Sequence, residues 1–156
     1  MFYRLFDDKT YYHFENINYL NNLTNKNKIQ ELSVFNSKLN KLSNLDKFIN
    51  LEILDCNNNE LTQLPELPDS LIDLFCENNV LFELPKLPSN LIILDITNNK
   101  ITQLPTLPSK LIHLYCEYNN LNELINLPDN LRTLYCSNNN ILTLPNLPIN
   151  LSEFNI

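Results

Sequence analysis

Residues 51–68 read LEILDCNNNELTQLPELP, and the same line returns with substitutions from Leu71, Leu91, Leu111 and Leu131. Five starts, each 20 residues after the last, point to a stack of repeated units rather than a globular core. A unit that short cannot bury its own apolar face and must bury it against its neighbours. The expected fold is therefore a solenoid.

Each unit reads L-x-x-L-x-C/I-x-x-N-x-L/I-x-x-L-P/I-x-L-P, and each fixed position has a physical task. Leu54 and Cys56 alternate with Ile53, Asp55 and Asn57. That period of two marks a strand with one buried face. Asn59 follows, then Leu61 and Leu64 turn inward again. An asparagine there can bury its amide and bond backbone groups of its own and the next repeat, closing the turn that ends the strand. Its equivalents are Asn79, Asn99, Asn119 and Asn139, a predicted structural ladder. The return path, Leu64-Pro65-Glu66-Leu67-Pro68, is expected to be extended and polyproline-like, because two prolines three apart fix φ and remove donors that a helix needs.

The leucine spacing would also tolerate a coiled coil, but nine prolines, eight of them paired three apart, exclude it. The units resemble the short leucine-rich repeats of bacterial effector proteins, including those that precede secreted ubiquitin-ligase domains. The resemblance covers roughly residues 29–156. It implies a leucine-rich repeat solenoid with a parallel β-sheet on a concave face, extended convex segments and gentle curvature. In that family ligase activity belongs to a separate downstream domain with its own cysteine, and nothing in this sequence matches that domain.

Lys and Arg number 11 against 18 Asp and Glu, a net charge of −7. Such a balance disfavours nucleic acid and anionic membrane surfaces and favours a basic partner. No apolar run reaches membrane-spanning length and no signal-peptide pattern opens the chain, so the expected setting is cytoplasmic, or the host cytoplasm if the effector resemblance carries over. Cys56, Cys76, Cys116 and Cys136 share one inward position, where Val34 and Ile96 stand in other units. They read as small core hydrophobes and fit a reducing compartment, although neighbouring strands lie about 4.8 Å apart, within reach of a Cys56–Cys76 disulfide. The sequons at Asn22 and Asn150 carry little weight in so asparagine-rich a chain. Gly, Ala and Trp are absent while Asn, Ile, Lys, Phe and Tyr abound, a bias toward AT-rich codons that resembles proteins of giant amoeba viruses. Without glycine, any turn that needs positive φ must use Asn or Asp.

Residues 1–28 lack the repeat and read as an N-terminal cap. A β-hairpin is expected from Phe2 to Glu15, with Phe2, Phe6, Tyr12 and Phe14 covering the first repeat and His13 as a strand side chain. A short helix from about Ile17 to Leu23, capped by Asn16, should follow. The array then occupies residues 29–156 as about six repeats plus a terminal strand, giving a sheet of about seven strands. The first repeat carries Ser37 in place of the ladder asparagine and Ser43–Phe48 in place of the proline pair, so its outer segment is expected to form a helical turn. In the fifth, Ile125 replaces the first proline. Leu151–Ile156 are expected to form a strand whose edge and apolar Phe154 and Ile156 are covered either by a second copy through antiparallel edge pairing, giving a homodimer, or by further repeats of a longer protein.

Outward strand positions carry no packing duty, and their composition is where function shows. Three columns emerge: Glu31, Ile53, Asp73, Ile93, His113, Thr133, Glu153; then Ser33, Asp55, Phe75, Asp95, Tyr115, Tyr135, Asn155; then Phe35, Asn57, Glu77, Thr97, Glu117, Ser137. Acids and aromatics share the surface and no Lys or Arg opposes them. Aromatic anchors ringed by charge suit protein recognition, so Asp55, Asp73, Phe75, Glu77, Asp95, His113, Tyr115, Glu117, Tyr118 and Tyr135 are the candidate partner-binding residues. A structural, self-assembling role is the alternative. Catalysis is not expected: an open sheet should neither desolvate a carboxylate pair nor exclude water, and no metal, cofactor, nucleotide or Ser-His-Asp signature is present.

Overall fold

The computed structural model describes residues 3–6, 11–14, 19–42 and 45–156. Seven parallel three-residue strands repeat along the array: β3 (Glu31–Ser33), β4 (Ile53–Asp55), β5 (Asp73–Phe75), β6 (Ile93–Asp95), β7 (His113–Tyr115), β8 (Thr133–Tyr135) and β9 (Glu153–Asn155). Register is strict, with Leu32, Leu54, Leu74, Leu94, Leu114, Leu134 and Phe154 forming the central row. The repeats supply the seven expected parallel strands, and the sheet extends beyond them to nine. β1 (Tyr3–Phe6) pairs antiparallel with both β2 (Tyr11–Phe14) and β3, extending the sheet in the order β2-β1-β3 through β9. Sequence pattern placed a hairpin here but not its edge-on pairing with the repeat sheet. Phe2, Asp7 to Thr10 and Glu15 to Asn18 lie outside the described residues, as do the side chains of Tyr12 and Phe14, and Phe6 is half-buried. Of the expected helix the described residues show Tyr19–Asn22, ending one residue before Leu23, and a 3-10 turn follows at Lys26–Lys28.

The alternation that predicts strands also predicts burial. Leu71, Leu74, Cys76 and Leu81 of one repeat are fully buried, as are their counterparts in the neighbouring units. The three leucines alone contribute about 5 to 9 kcal/mol per repeat from apolar burial, before the entropy of ordering the chain is counted. Return segments contain no helix, and each closes through a turn in which Leu71, Leu91, Leu111, Leu131 or Leu151 donates its N–H to the carbonyl of the proline three residues earlier. In the first repeat the expected helical turn gives way, over the described residues, to two successive turns, Leu45 to Phe48 and Phe48 to Leu51; Ser43 and Asn44 lie outside the description. Loss of the prolines removed the constraint on φ but left a three-residue spacing of Leu45, Phe48 and Leu51, all buried, that turns satisfy.

The asparagine ladder points backwards along the chain. Asn79 Nδ2 donates to the carbonyls of Cys56, Cys76 and Glu77, and its Oδ1 accepts from Leu61 N–H at 3.0 Å. Asn99 and Asn119 repeat this pattern, and Asn139 does so half-buried. The second repeat joined is thus the preceding one, not the next as the sequence reading had it. The reason is geometric: past the strand the chain has turned inward, so the amide lies beneath the preceding turn. Asn59 keeps the pattern, accepting from Leu39 N–H and donating to Val34 O, and in addition accepts from Ser37 N–H; the Ser37 hydroxyl donates to Phe35 O and gives Val34 O no second donor.

Before each ladder residue the chain takes positive φ, at Asn36, Asn58, Asn78, Asn98, Tyr118 and Asn138. Asparagine tolerates this region best among residues with a Cβ. Tyr118 (φ 53°) and, elsewhere, Lys38 (φ 51°) depart from the expectation that only Asn or Asp would serve.

Candidate functional site

Strand register sets the surface. Along the middle outward row Asp55, Phe75, Asp95, Tyr115 and Tyr135 are successive register partners. Asp73 lies two residues before Phe75 and Glu77 two after it, so the ring of Phe75 has an acid neighbour on all four sides, two along its strand and two across it. Four carboxylates of this face are held by hydrogen bonds. Asp55 accepts from Ser33 Oγ at 2.8 Å and from Asn57 N–H at 3.1 Å, and Asp95 accepts from Thr97 N–H at 3.0 Å. Glu77 accepts from Asn78 Nδ2 at 2.9 Å, and Glu117 from Ser137 Oγ at 2.7 Å. Among the described residues none of these acids lies within ion-pair distance of a Lys or Arg.

The second half of the face is aromatic. Tyr115 and Tyr135 meet edge to face with centroids 5.4 Å apart, and His113 stacks parallel to Tyr115 at 6.4 Å. A T-shaped pair of this kind adds about 0.5 to 1.5 kcal/mol beyond its buried area and fixes the ring orientations. Thr133, assigned to the outward face by its position, is buried, and its hydroxyl sits 3.0 Å from His113 Nδ1. Tyr118 stands apart from this row, more than half exposed, in the turn at the rim.

Contrary to expectation, the open sheet does desolvate some of its carboxylates. Burial lifts Asp95 above its ordinary value, against the Thr97 N–H that stabilises its charge, and burial likewise lifts Asp73, partly offset by His113. Partial burial of this kind is an effect that single-residue reading of an exposed column misses. Cavities lie instead between return segments, one of about 630 Å³ bounded by Glu123–Asp129 and Thr143–Ile149, another of about 350 Å³ bounded by Glu66–Asp69 and Pro85–Ser89. Neither contains a concave-face residue. Among the described residues no His, Cys, Asp and Glu group of three or more could hold a metal ion, and no helix is long and apolar enough to cross a membrane.

The four cysteines are free and buried. Cys56 and Cys76 thiols donate to the carbonyls of Phe75 and Asp95 at 3.3 Å. A hydrogen bond with Cys56 and burial push the Cys76 thiol well up, burial does the same to Cys116, and Cys136 is raised to about 11. Such thiols are poor nucleophiles.

Among solved structures, the LRR domain of a Shigella effector matches 82% of this chain at 34% identity, with a TM-score of 0.72. The fold is that of the leucine-rich repeat. YopM, a leucine-rich effector protein from Yersinia pestis, matches 79% of this leucine-rich repeat chain at 31% identity and a TM-score of 0.65. A leucine-rich repeat protein of Leptospira interrogans matches 72% at 26% identity and 0.56. The chain spans 55%, 41% and 32% of the lengths of these three structures, respectively. No protein-family model matches the sequence, and no curated protein matches it significantly.

Proposed function

We propose that this leucine-rich repeat array is a non-catalytic protein-binding module whose concave face, from Asp55 to Tyr135, takes a basic segment of a partner protein. One observation carries the reading: carboxylates with no Lys or Arg in ion-pair reach among the described residues interleave with Phe75, Tyr115 and Tyr135 on a single sheet face. Burial already lifts Asp73 and Asp95, so an arriving Lys or Arg would restore the stabilisation that partial loss of water removes. Aromatic rings among the acids supply apolar contact area, and a cation can lie on their faces. The net charge of −7 argues against nucleic acid or an anionic membrane as the partner. Likeness to effector proteins makes the cytoplasm of a host cell the proposed place of action.

Isothermal titration with an octa-arginine peptide tests this. Affinity should fall at least tenfold between about 50 and 300 mM salt, since exposed charges are screened over about 8 to 10 Å near physiological ionic strength. The Tyr115→Ala/Tyr135→Ala double variant, which leaves net charge unchanged, should weaken binding about tenfold more. Equal affinity of wild type and double variant would place the contact elsewhere on the acidic surface.

A further inference from the structure

At five of the six equivalent turns the positive-φ residue is asparagine, and at three of these it is part of a second, outer ladder. Asn98 Nδ2 donates to Asn78 Oδ1 at 2.6 Å, and Asn78 Nδ2 donates to Asn58 Oδ1 at 3.2 Å. The next place in that ladder is Tyr118. A tyrosine there breaks the chain of amides and adopts a backbone conformation that its Cβ disfavours. The backbone itself is unaltered: Tyr118 N–H donates to Ser137 O at 3.1 Å and its carbonyl accepts from Asn99 N–H at 3.1 Å, as in the other turns. Nothing in the fold compensates the phenol. It is 56% exposed, and among the described residues no ring, cation or side-chain hydrogen bond engages it. An exposed ring elsewhere is used differently, since Lys100 Nζ lies 5.6 Å from the centroid of Phe82.

The position also has a defined neighbour. In two other repeats the turn side chain reaches the outward residue just before it, Asn78 bonding Glu77 and Asn138 bonding Ser137. The corresponding neighbour of Tyr118 is Glu117. One oxygen of that carboxylate accepts from Ser137 and Asn155, and the other takes no hydrogen bond among the described residues.

We propose that Tyr118 is a specificity-determining anchor at the rim of the concave face, where its ring and the Glu117 carboxylate receive the guanidinium of a partner arginine. A planar, weakly hydrated guanidinium can stack on the phenol and present a donor to the free carboxylate oxygen at once, whereas an ammonium cannot do both with the same geometry. The inference rests on the concave-face reading, and adds that arginine is preferred over lysine.

Calorimetric titrations with octa-arginine and octa-lysine, each against wild type, Tyr118→Asn, Tyr118→Phe and Tyr115→Ala/Tyr135→Ala, separate the two. Tyr118→Asn should raise the melting temperature by about 2 to 4 °C, because asparagine suits the turn and restores the outer ladder. It should also weaken octa-arginine binding about fivefold while moving octa-lysine less than twofold, and Tyr118→Phe should retain the arginine affinity. If Tyr118→Asn binds octa-arginine as wild type does while the double variant loses it, the rim anchor is refuted and the concave face stands. If the double variant also binds normally, both fail. A melting temperature lowered by Tyr118→Asn refutes the claim that the ring is held against backbone preference.

Discussion

Substituting alanine along the asparagine ladder should cost different amounts at chemically identical positions, and the difference can be counted from hydrogen bonds. In Asn99→Ala the carbonyl of Cys76 keeps its bond from Asn79, that of Ile96 keeps Asn119, and that of Thr97 keeps Asn78 N–H. Only Leu81 N–H, bonded to Asn99 Oδ1 at 3.0 Å, is orphaned. One buried unpaired donor costs about 1 to 3 kcal/mol. In Asn59→Ala the Leu39 N–H loses its sole partner as Leu81 does in Asn99→Ala, and two further groups are orphaned: the Ser37 N–H, and the Val34 carbonyl, which Ser37 does not reach as a preceding ladder asparagine would. Three orphans at the same rate put that variant at about 3 kcal/mol or more. At about 2 to 4 °C per kcal/mol for a chain of this size, Asn99→Ala should melt roughly 2 to 12 °C below wild type and Asn59→Ala at least twice as far below as Asn99→Ala. Circular-dichroism melts of the two variants, with amide exchange at Leu81 as the local probe, provide the measurement. Equal losses, or a smaller loss for Asn59→Ala, would refute the accounting.

Two other outcomes follow from the buried groups. Iodoacetamide at pH 8 should leave all four thiols unmodified in the native chain and modify all four in guanidinium, with Cys136 first to react as the ends loosen; at a pKa of about 11 its thiolate is roughly one part in a thousand at that pH. Labelling at equal rates in the native and unfolded chain would contradict the burial. Asp95→Asn should stabilise the fold at pH 7 while weakening a basic ligand. Its carboxyl is lifted above 3.8 in the folded state, so the folded chain binds more protons than the unfolded one between the two values and stability declines as pH rises through that window. The gain in melting temperature should therefore vanish below about pH 4, where both states hold the proton; a gain that persists there has another cause.

Strand positions, inward rows and the need for an asparagine after each strand were all legible in the sequence, because period two and a 20-residue repeat are local patterns that burial merely confirms. What escaped it depends on contacts between units. The direction of the ladder could not be read from Asn79 alone, since its partners Cys56 O and Leu61 N–H lie 23 and 18 residues upstream. The same limit hid β1 pairing with β3. It also hid the partial desolvation of Asp73 and Asp95, which neighbouring strands impose on residues that look solvent-facing in their own repeat. Tyr118 was named among the surface aromatics, but its backbone conformation was visible only by comparison with the turns stacked beside it.

Because each ladder asparagine serves the unit before it, completion of the fold has a direction in time. Leu61 N–H must wait for Asn79, Leu81 for Asn99 and Ile101 for Asn119, each 18 residues further along. At translation rates of about 5 to 20 residues per second, a freshly exposed turn stays unsatisfied for roughly 1 to 4 s before its closing amide is even synthesised. The newest repeat on the ribosome is therefore always the least finished one, and the chain matures as a front that trails synthesis by a single turn of the solenoid.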